Sequence, residues 1–146
     1  MNVYIKKVHP AAIMPTYGSA GAAGADLYAL PDTDHPLVIA SGETVLVHTG
    51  VAAAIPEGYV GLVYARSGLA CKRGVAPANK VGVIDSDYRG EIMVALHNHG
   101  EVPQAIEPGD RIAQLVIAPV VQATFEWTED LDDTTRGAGG FGSTGA

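Results

Sequence analysis

The sequence predicts one all-β domain, a barrel or a sandwich of short strands, and three observations support this. The 18 Gly and 9 Pro residues separate short runs rich in Val, Ile, Leu and Ala, a spacing typical of all-β folds. The length of 146 residues suits one domain and not two. Hydrophobic residues make up 47% of the chain, which excludes an intrinsically disordered protein.

Five segments have the composition of strands, and turn-forming residues separate them. The predicted strands are Asn2–Val8, Thr44–Val51, Tyr59–Tyr64, Ile92–His97 and Ile112–Ile117. The first is predicted to be an edge strand, and the second alternates apolar side chains along one face, from Val45 to Val51. The clearest turn follows at residues 107–110, where Pro108 and Gly109 suit the two central positions of a type II turn.

The segment from Ser67 to Gly74 is predicted to be a short helix. Ser67 is a favourable N-cap, and Gly74 is a favourable residue at the C-terminal end. Arg66 directly precedes the cap, and a helix N-terminus beside an arginine favours anion binding. The same residues also fit an ordinary capped connector, so both interpretations stay open at this point.

The last residues differ in composition from the rest of the chain. Residues 136–146 read RGAGGFGSTGA, which cannot form a packed strand or helix by itself. They are either a disordered tail or a flexible arm that orders over a ligand. Arg136 and Phe141 favour the arm, because the first can meet a phosphate and the second can cover a base.

Composition and charge exclude several classes of function. The net charge of −7 argues against general binding to DNA or RNA, although a small polyanion held by local arginines and a divalent cation is compatible with it. No apolar stretch approaches the roughly 20 residues of a membrane helix, and the N-terminus lacks a signal-peptide pattern. Cys71 is the single cysteine, which excludes an intramolecular disulfide and a cysteine-based zinc cluster. We therefore expect a cytoplasmic protein with neither nucleic acid nor membrane as partner.

Five short motifs follow one another in a specific order. They are Ala23–Ala29 (AGADLYA), Arg66–Ala70 (RSGLA), Gly82–Glu91 (GVIDSDYRGE), Gly109–Leu115 (GDRIAQL) and Arg136–Gly145 (RGAGGFGSTG). In these motifs the chain resembles the trimeric deoxyuridine triphosphatase (dUTPase) family. A single motif is weak evidence, whereas all five in this order are very specific.

The resemblance implies a jelly-roll-like β-barrel subunit with one short helix, assembled as a homotrimer. Residues 1–135 would form the barrel domain, and residues 136–146 would form a flexible Gly-rich arm that completes an active site. The implied reaction is hydrolysis of dUTP to dUMP and pyrophosphate with Mg²⁺, which supplies dUMP for thymidylate synthesis and keeps uracil out of DNA. Each active site would take its first, second and fourth motifs from one chain, the third from another and the arm from the remaining one.

The resemblance also implies roles for the residues on the phosphate side. Asp85 matches the carboxylate that activates the attacking water. Arg66, Ser67 and Gly68 match the motif that binds phosphate oxygens, with Arg66 countering the developing charge. Gln114 matches a phosphate-binding amide.

Metal binding is implied at one position of the first motif. Asp26 matches an acidic residue held near Mg²⁺, through water because this ion retains its water. Asp110 and Arg111 in the fourth motif are predicted to form a structural ion pair instead. Ala65 departs from the family, which usually has Pro before Arg-Ser-Gly, but this departure removes no functional group.

The third motif is implied to hold the deoxyuridine in a hairpin from Asn79 to Met93. The residues of this pocket would be Asn79, Gly82, Val83, Ile84, Tyr88 and Met93. Backbone groups around Val83 and Ile84 would pair with the uracil edge. Tyr88 would pack under the sugar and leave no space for a 2′-hydroxyl group.

The fifth motif is implied to close over the bound nucleotide. Arg136 would hold the γ-phosphate, Phe141 would cover the uracil, and Gly142 and Ser143 would contact phosphate oxygens.

Two other functions remain as alternatives. A dCTP deaminase needs a carboxylate in the pocket, but the position expected for it is Ala95, and Glu91 lies elsewhere in the sequence; ammonia release from dCTP would identify this activity. The other alternative is a non-catalytic, nucleotide-binding regulatory trimer. The presence of Asp85, Arg66 and a complete arm argues against loss of catalysis.

Overall fold

The computed structural model describes residues 1–30 and 35–140, and it confirms an all-β, jelly-roll-like fold with one short helix. The strands are β1 (Tyr4–Lys7), β2 (Thr16–Tyr17), β3 (Ala25–Tyr28), β4 (Leu37–Ile39), β5 (Thr44–Val47), β6 (Val51–Ala54), β7 (Tyr59–Tyr64), β8 (Val75–Pro77), β9 (Gly82–Ile84), β10 (Val94–Asn98), β11 (Gln104–Ile106) and β12 (Arg111–Pro119). The helix α1 spans Ser67–Arg73. No helix in the described residues is long and apolar enough to cross a bilayer.

The strands of the described residues pair into separate sheets rather than one closed barrel. The largest sheet has the order β2-β3-β12-β7-β9, and the smaller ones are β5-β10-β8, β1-β6 and β11-β4. The first, third and fourth motifs contain β3, β9 and the start of β12, and the second motif follows directly after β7. The largest sheet therefore positions four of the five motifs.

One apolar core joins the sheets. Its fully buried side chains include Leu27, Ile39, Leu96, Ile106 and Ile112. They come from β3, β4, β10, β11 and β12, which belong to three different sheets. Removal of this apolar surface from water is the main stabilising contribution to such a fold.

The strand predictions are correct in type. Three of them differ from the observed strands by one or two residues at each end: Asn2–Val8 from β1, Ile92–His97 from β10 and Ile112–Ile117 from β12. One more is wrong because it spans two strands. Tyr59–Tyr64 forms β7 with the predicted bounds, whereas Thr44–Val51 is not one strand. It divides into β5 and β6 around Gly50, which adopts a φ of +70°. A Cβ atom on Gly50 would lie 2.7 Å from Leu30 Cδ1, so only glycine fits this break.

The predicted turn and helix are present, with one correction. Gly109 has a φ of +82°, and the Asp110 amide donates to the Glu107 carbonyl at 3.0 Å, as in a type II turn. Ser67 was predicted to be the N-cap, but it is the first residue of the helix. Arg66 occupies the N-cap position without a side-chain cap, because a guanidinium group has no acceptor for the backbone amides of the first turn; it donates to Asp26 instead.

Candidate active site

Asp26 is the buried centre of a cluster that joins three motifs. Its side chain lies on β3 and is held between two arginines. Arg66 Nε donates to Asp26 Oδ1 at 2.7 Å, and Arg111 Nη1 donates to Asp26 Oδ2 at 3.3 Å. The carboxylate therefore links the first, second and fourth motifs and orients the guanidinium group of Arg66.

A β-bulge in β12 brings Arg111 into this cluster. Gln114 lies opposite Asp26 in the β12–β3 pair, and Arg111 lies opposite Tyr28, with a register shift between them. Strict strand alternation would turn Arg111 and Gln114 to opposite faces, whereas the extra residue of a bulge turns them to the same face.

The expected ion pair between Asp110 and Arg111 is wrong. Arg111 pairs with Asp26, and Asp110 lies 3.9 Å from Arg73. Sequence analysis missed Arg111 and Arg73 as members of the phosphate side, since no alternation pattern places them beside Arg66.

Gln114 supports the chain segment that carries Arg66. Its Nε2 donates to the Ala65 carbonyl oxygen at 2.9 Å. A Cβ atom on Gly24 would lie 2.7 Å from Gln114 Oε1, so the glycine of the first motif makes room for this amide. The second N–H of the amide has no partner within the described residues, which leaves it available to a ligand.

A small cavity beside this cluster is lined by three arginines. Arg66, Arg73 and Arg111 surround a volume of about 210 Å³, together with Gly68 and Asp110. Ser67 and Gly68 are exposed at the start of α1. Three guanidinium groups face two carboxylates, Asp26 and Asp110, and this excess of positive charge suits the cavity to an anionic group.

A second cavity brings together the six residues predicted for the deoxyuridine pocket and Asp85. It has a volume of about 270 Å³ and lies between β9 and the segment 91–95. The predicted residues that line it are Asn79, Gly82, Val83, Ile84, Asp85, Tyr88 and Met93. This cavity is apolar in its lining and has few polar groups, as small-molecule sites usually are.

The segment from Asn79 to Met93 is not the paired hairpin that was expected. The strand β9 pairs with β7, whereas Glu91 bridges to Ala52 on β6. The two arms of the segment are thus splayed, and the cavity lies between them. Because β9 is the last strand of its sheet, its second edge leaves backbone N–H and C=O groups free to meet a ligand.

Asp85 and Tyr88 stand at the mouth of this cavity. Asp85 follows β9, is exposed, and accepts no hydrogen bond on its carboxylate from any described residue. The Tyr88 amide donates to the Asp85 carbonyl at 3.2 Å, and the Tyr88 hydroxyl donates to the Glu91 carbonyl at 3.0 Å. The two side chains are therefore placed by one short loop.

The carboxylate of Glu91 is occupied by the protein itself. Oε1 accepts from the Thr49 amide at 3.2 Å and the Gly50 amide at 2.7 Å, and His48 Nδ1 lies 2.9 Å from Oε2. Desolvation raises the pKa of Glu91, but the hydrogen bonds from His48 and the two amides outweigh it and lower the pKa below its usual 4.5. Glu91 is thus an ionised anchor at neutral pH. Since Ala95 also lines the cavity, the carboxylate that deamination requires is missing from its expected position.

Asp85 and Arg66 are not brought together within one chain. Ile84 lies opposite Gly61 in the β9–β7 pair, so continued antiparallel register sets Asp85 level with Val60. Arg66 lies six residues further along the same direction, about 20 Å away at a rise of roughly 3.3 Å per residue. A water-activating carboxylate and a phosphate-binding arginine cannot act on the same phosphorus atom across that distance.

In the described part of the arm, residues 136–138 are exposed and residues 139–140 are half-buried. Arg136 Nε donates to the Gly139 carbonyl at 2.8 Å, and Arg136 lines neither of the two cavities. The predicted contacts of Phe141, Gly142 and Ser143 lie outside the described residues.

The donor set fits a metal ion that the substrate brings, and not one held by the protein alone. No group of three His, Cys, Asp or Glu side chains in the described residues could hold an ion. Both oxygens of Asp26 already accept from arginines, and contact with an ion through water leaves these two ion pairs in place. Mg²⁺ is commonly held in this way, by substrate phosphates and water with one or two carboxylates nearby.

Comparison with known proteins points in one direction. A family model described as dUTPase matches residues 11–145. A deoxyuridine 5'-triphosphate nucleotidohydrolase from Syntrophotalea carbinolica is 50% identical over 145 residues, which cover 99% of this chain and 97% of that protein. Another from Anaeromyxobacter sp. is 54% identical over 132 residues, which cover 90% of this chain and 87% of the relative.

Solved structures of similar fold carry the same description. The dUTPase of Staphylococcus bacteriophage 80alpha with dUpNHpp superposes with a TM-score of 0.90 at 29% identity, over 99% of both chains. A mutant dUTPase from phage phi11 of S. aureus, described with a structural Mg(II) ion, has a TM-score of 0.78 at 26% identity over 89% of this chain and 98% of its own.

Proposed function

Because this chain belongs to the dUTPase family, we infer that it is a dUTP diphosphatase, which hydrolyses dUTP to dUMP and pyrophosphate. The observation that carries this inference is the cavity between β9 and residues 91–95, which gathers the six residues predicted for the deoxyuridine pocket together with Asp85, the predicted general base. The arginine-lined cavity supplies the complementary site for the triphosphate. A cytoplasmic location is proposed as well, and the single cysteine supports it.

The cavity between β9 and residues 91–95 selects deoxyuridine. Backbone groups on the free edge of β9, around Val83 and Ile84, pair with the uracil edge and reject cytosine by its different hydrogen-bond pattern. The closeness of the walls rejects the methyl group of thymine, and Asn79 closes the pocket. Tyr88 packs under the sugar, where a 2′-hydroxyl group would collide with its ring.

The working assembly is a homotrimer with shared active sites. The separation of about 20 Å between Asp85 and Arg66 supports it, because a second chain must supply one of the two groups. The exposed segment after β12 supports it too. Phe125 is 94% exposed and Trp127 is fully exposed in the isolated subunit, which is typical of side chains that another copy covers.

Hydrolysis begins with a water molecule held by Asp85 from one subunit. The carboxylate takes a proton as the water oxygen attacks the α-phosphorus, and the bond to the bridging oxygen of pyrophosphate breaks. Arg66 of another subunit stabilises the charge that develops on the phosphate oxygens, and Ser67, Gly68 and Gln114 bind the triphosphate. Asp26 would contact, through water, a Mg²⁺ ion that arrives with the triphosphate, and this ion would supply further charge neutralisation.

The arm completes the site from the remaining subunit. Arg136 binds the γ-phosphate, Phe141 covers the uracil, and Gly142 and Ser143 contact phosphate oxygens. Closure excludes bulk water and fixes the triphosphate for in-line attack.

Mixed trimers test the shared site directly. An Asp85→Asn chain is reassembled from the unfolded state with a chain that lacks residues 136–146. At a 1:1 ratio about one quarter of the sites would combine an intact Asp85 with an intact arm, so pyrophosphate release should rise well above either parent. Each parent reassembled alone is the control. Mixed trimers no more active than their parents would contradict shared sites.

Sugar selection by Tyr88 has its own test. We expect Tyr88→Ala to raise kcat/KM for UTP relative to dUTP by about 10-fold or more, because the side chain that meets the 2′-hydroxyl is gone. Pyrophosphate release from both nucleotides measures the ratio. Tyr4→Ala is the control, since Tyr4 is exposed and does not line the cavity. An unchanged ratio in Tyr88→Ala would leave this tyrosine with a structural role only.

A further inference from the structure

The turn between β5 and β6 is a rigid element behind the base cavity. Thr49 is 2% exposed, and Gly50 is buried with a φ of +70°. A Cβ atom on Gly50 would lie 2.7 Å from Leu30 Cδ1 and 2.9 Å from Ala12 Cβ. Close packing on this side leaves the turn no room to move.

Glu91 fastens the wall of the cavity to this turn. Its carboxylate accepts from the Thr49 and Gly50 amides through one oxygen and meets His48 through the other. An ionised acceptor makes such bonds stronger than a neutral one does. The Glu91 side chain is thus the link between a fixed turn and a loop that forms the cavity.

The main chain of Ile92, the next residue, is also hydrogen-bonded to this turn and to β6. The Ile92 amide donates to the Val51 carbonyl at 2.8 Å, and Thr49 Oγ1 donates to the Ile92 carbonyl at 2.5 Å. Glu91 itself forms a bridge with Ala52 on β6. These contacts extend the attachment from the side chain of Glu91 to its backbone.

The position of Tyr88 depends on the position of the Glu91 backbone. The Tyr88 hydroxyl donates to the Glu91 carbonyl at 3.0 Å. A Cβ atom on Gly90 would overlap the Tyr88 hydroxyl and ring, so the ring lies directly against Gly90. The position of the Tyr88 side chain is therefore fixed by Gly90 and by the backbone of Glu91.

We propose that Glu91 is a specificity-determining positioning residue: it anchors the loop of residues 88–93 to the turn at 48–50 and so holds Tyr88 where it excludes the 2′-hydroxyl of a ribonucleotide. The inference rests on the role of Tyr88 in the proposed function. Glu91 touches neither the water nor the phosphate in this scheme. Its effect reaches the substrate only through the placement of Tyr88.

The experiment compares kcat/KM for UTP and dUTP in three substitutions of Glu91. Glu91→Ala removes the anchor, and we expect the UTP to dUTP ratio to rise about 10-fold. Glu91→Asp keeps the charge but withdraws it by one methylene, so the ratio should rise in the same direction. Glu91→Gln keeps an oxygen for the two amides, and we expect it to stay within about threefold of wild type.

Glu43→Ala is the matched control. Glu43 Oε2 also accepts a hydrogen bond from a backbone amide, that of Ala40 at 2.8 Å, but Glu43 does not line the cavity. General destabilisation of the fold would lower kcat/KM for UTP and dUTP by the same factor and leave their ratio unchanged. Urea unfolding measures the stability of each variant separately. If Glu91→Ala does not fold, Glu91→Asp carries the comparison.

Tyr88→Ala in the same assay separates the two possible failures. If it shifts the ratio while Glu91→Ala and Glu91→Asp leave it at the wild-type value, the anchoring role of Glu91 is wrong and the role of Tyr88 stands. If Tyr88→Ala leaves the ratio unchanged, the sugar-selecting role is itself wrong and the inference falls with it.

Discussion

Asp85→Asn should lower kcat for dUTP by roughly 10²–10⁴-fold while nucleotide binding persists. The amide has the shape of the carboxylate but cannot take a proton from water. Asp85 is exposed at the end of β9, and its carboxylate accepts no hydrogen bond from any described residue. The change therefore removes no hydrogen bond within the described structure. Pyrophosphate release measures kcat, and calorimetry with a slowly hydrolysed dUTP analogue measures Kd.

Asp87→Asn is the control for this substitution. Asp87 is a second exposed carboxylate in the same loop, but it does not line the base cavity between β9 and residues 91–95. The two substitutions change the net charge of the protein equally, so a general electrostatic effect would appear in both. Wild-type turnover in Asp85→Asn, or an equal loss in both variants, would show that the base is another group.

Truncation after Thr135 should lower kcat more than it weakens nucleotide binding, and it should leave the trimer intact. The described hydrogen bonds of residues 136–139 stay within residues 134–139, so their removal takes no bond from the strands. Ordering a Gly-rich arm costs about 1–2 kcal/mol of backbone entropy per residue, so it closes only when ligand contacts offset that cost. Arg136 with the γ-phosphate and Phe141 with the base are the contacts proposed to do so.

Three measurements check this result. Pyrophosphate release gives kcat, a slowly hydrolysed analogue gives Kd, and light scattering gives the mass of the assembly. Arg136→Ala in the full chain should reproduce part of the loss, because it removes the contact with the γ-phosphate alone. Full turnover in the truncated trimer would contradict the closing role, and loss of the trimer would show that the arm serves assembly.

Local signals were sufficient for much of the fold. The turn at Pro108 and Gly109, the helix ended by Gly74 and the strand Tyr59–Tyr64 depend on nearby residues, so the sequence predicts them well. The break at Gly50 was missed because its cause is contact with Leu30 and Ala12, which are distant in sequence. The alternation of apolar side chains by itself predicted one continuous strand through Gly50.

The base cavity follows largely from the sequence, because most of its predicted residues belong to one continuous segment, from Asn79 to Met93. The resemblance to the dUTPase family was enough to name these residues without any knowledge of the sheet. Their arrangement was not predicted, since pairing of β9 with β7 opens the segment instead of closing it into a hairpin. Glu91 was assigned no role in the sequence analysis, because its hydrogen-bond partners at residues 48–50 lie about 40 positions earlier in the chain and no local pattern indicates the contact.

The sequence by itself determined which chemical groups are available for the proposed reaction: the carboxylate of Asp85, the ring of Tyr88 and the guanidinium group of Arg66. Tertiary structure alone decided how they are distributed. The bulge in β12 turned Arg111 toward Asp26, and antiparallel pairing of β9 with β7 carried Asp85 about 20 Å from Arg66. The physical reason is that strand register and bulges are set by contacts between segments far apart in the chain, which no local pattern records.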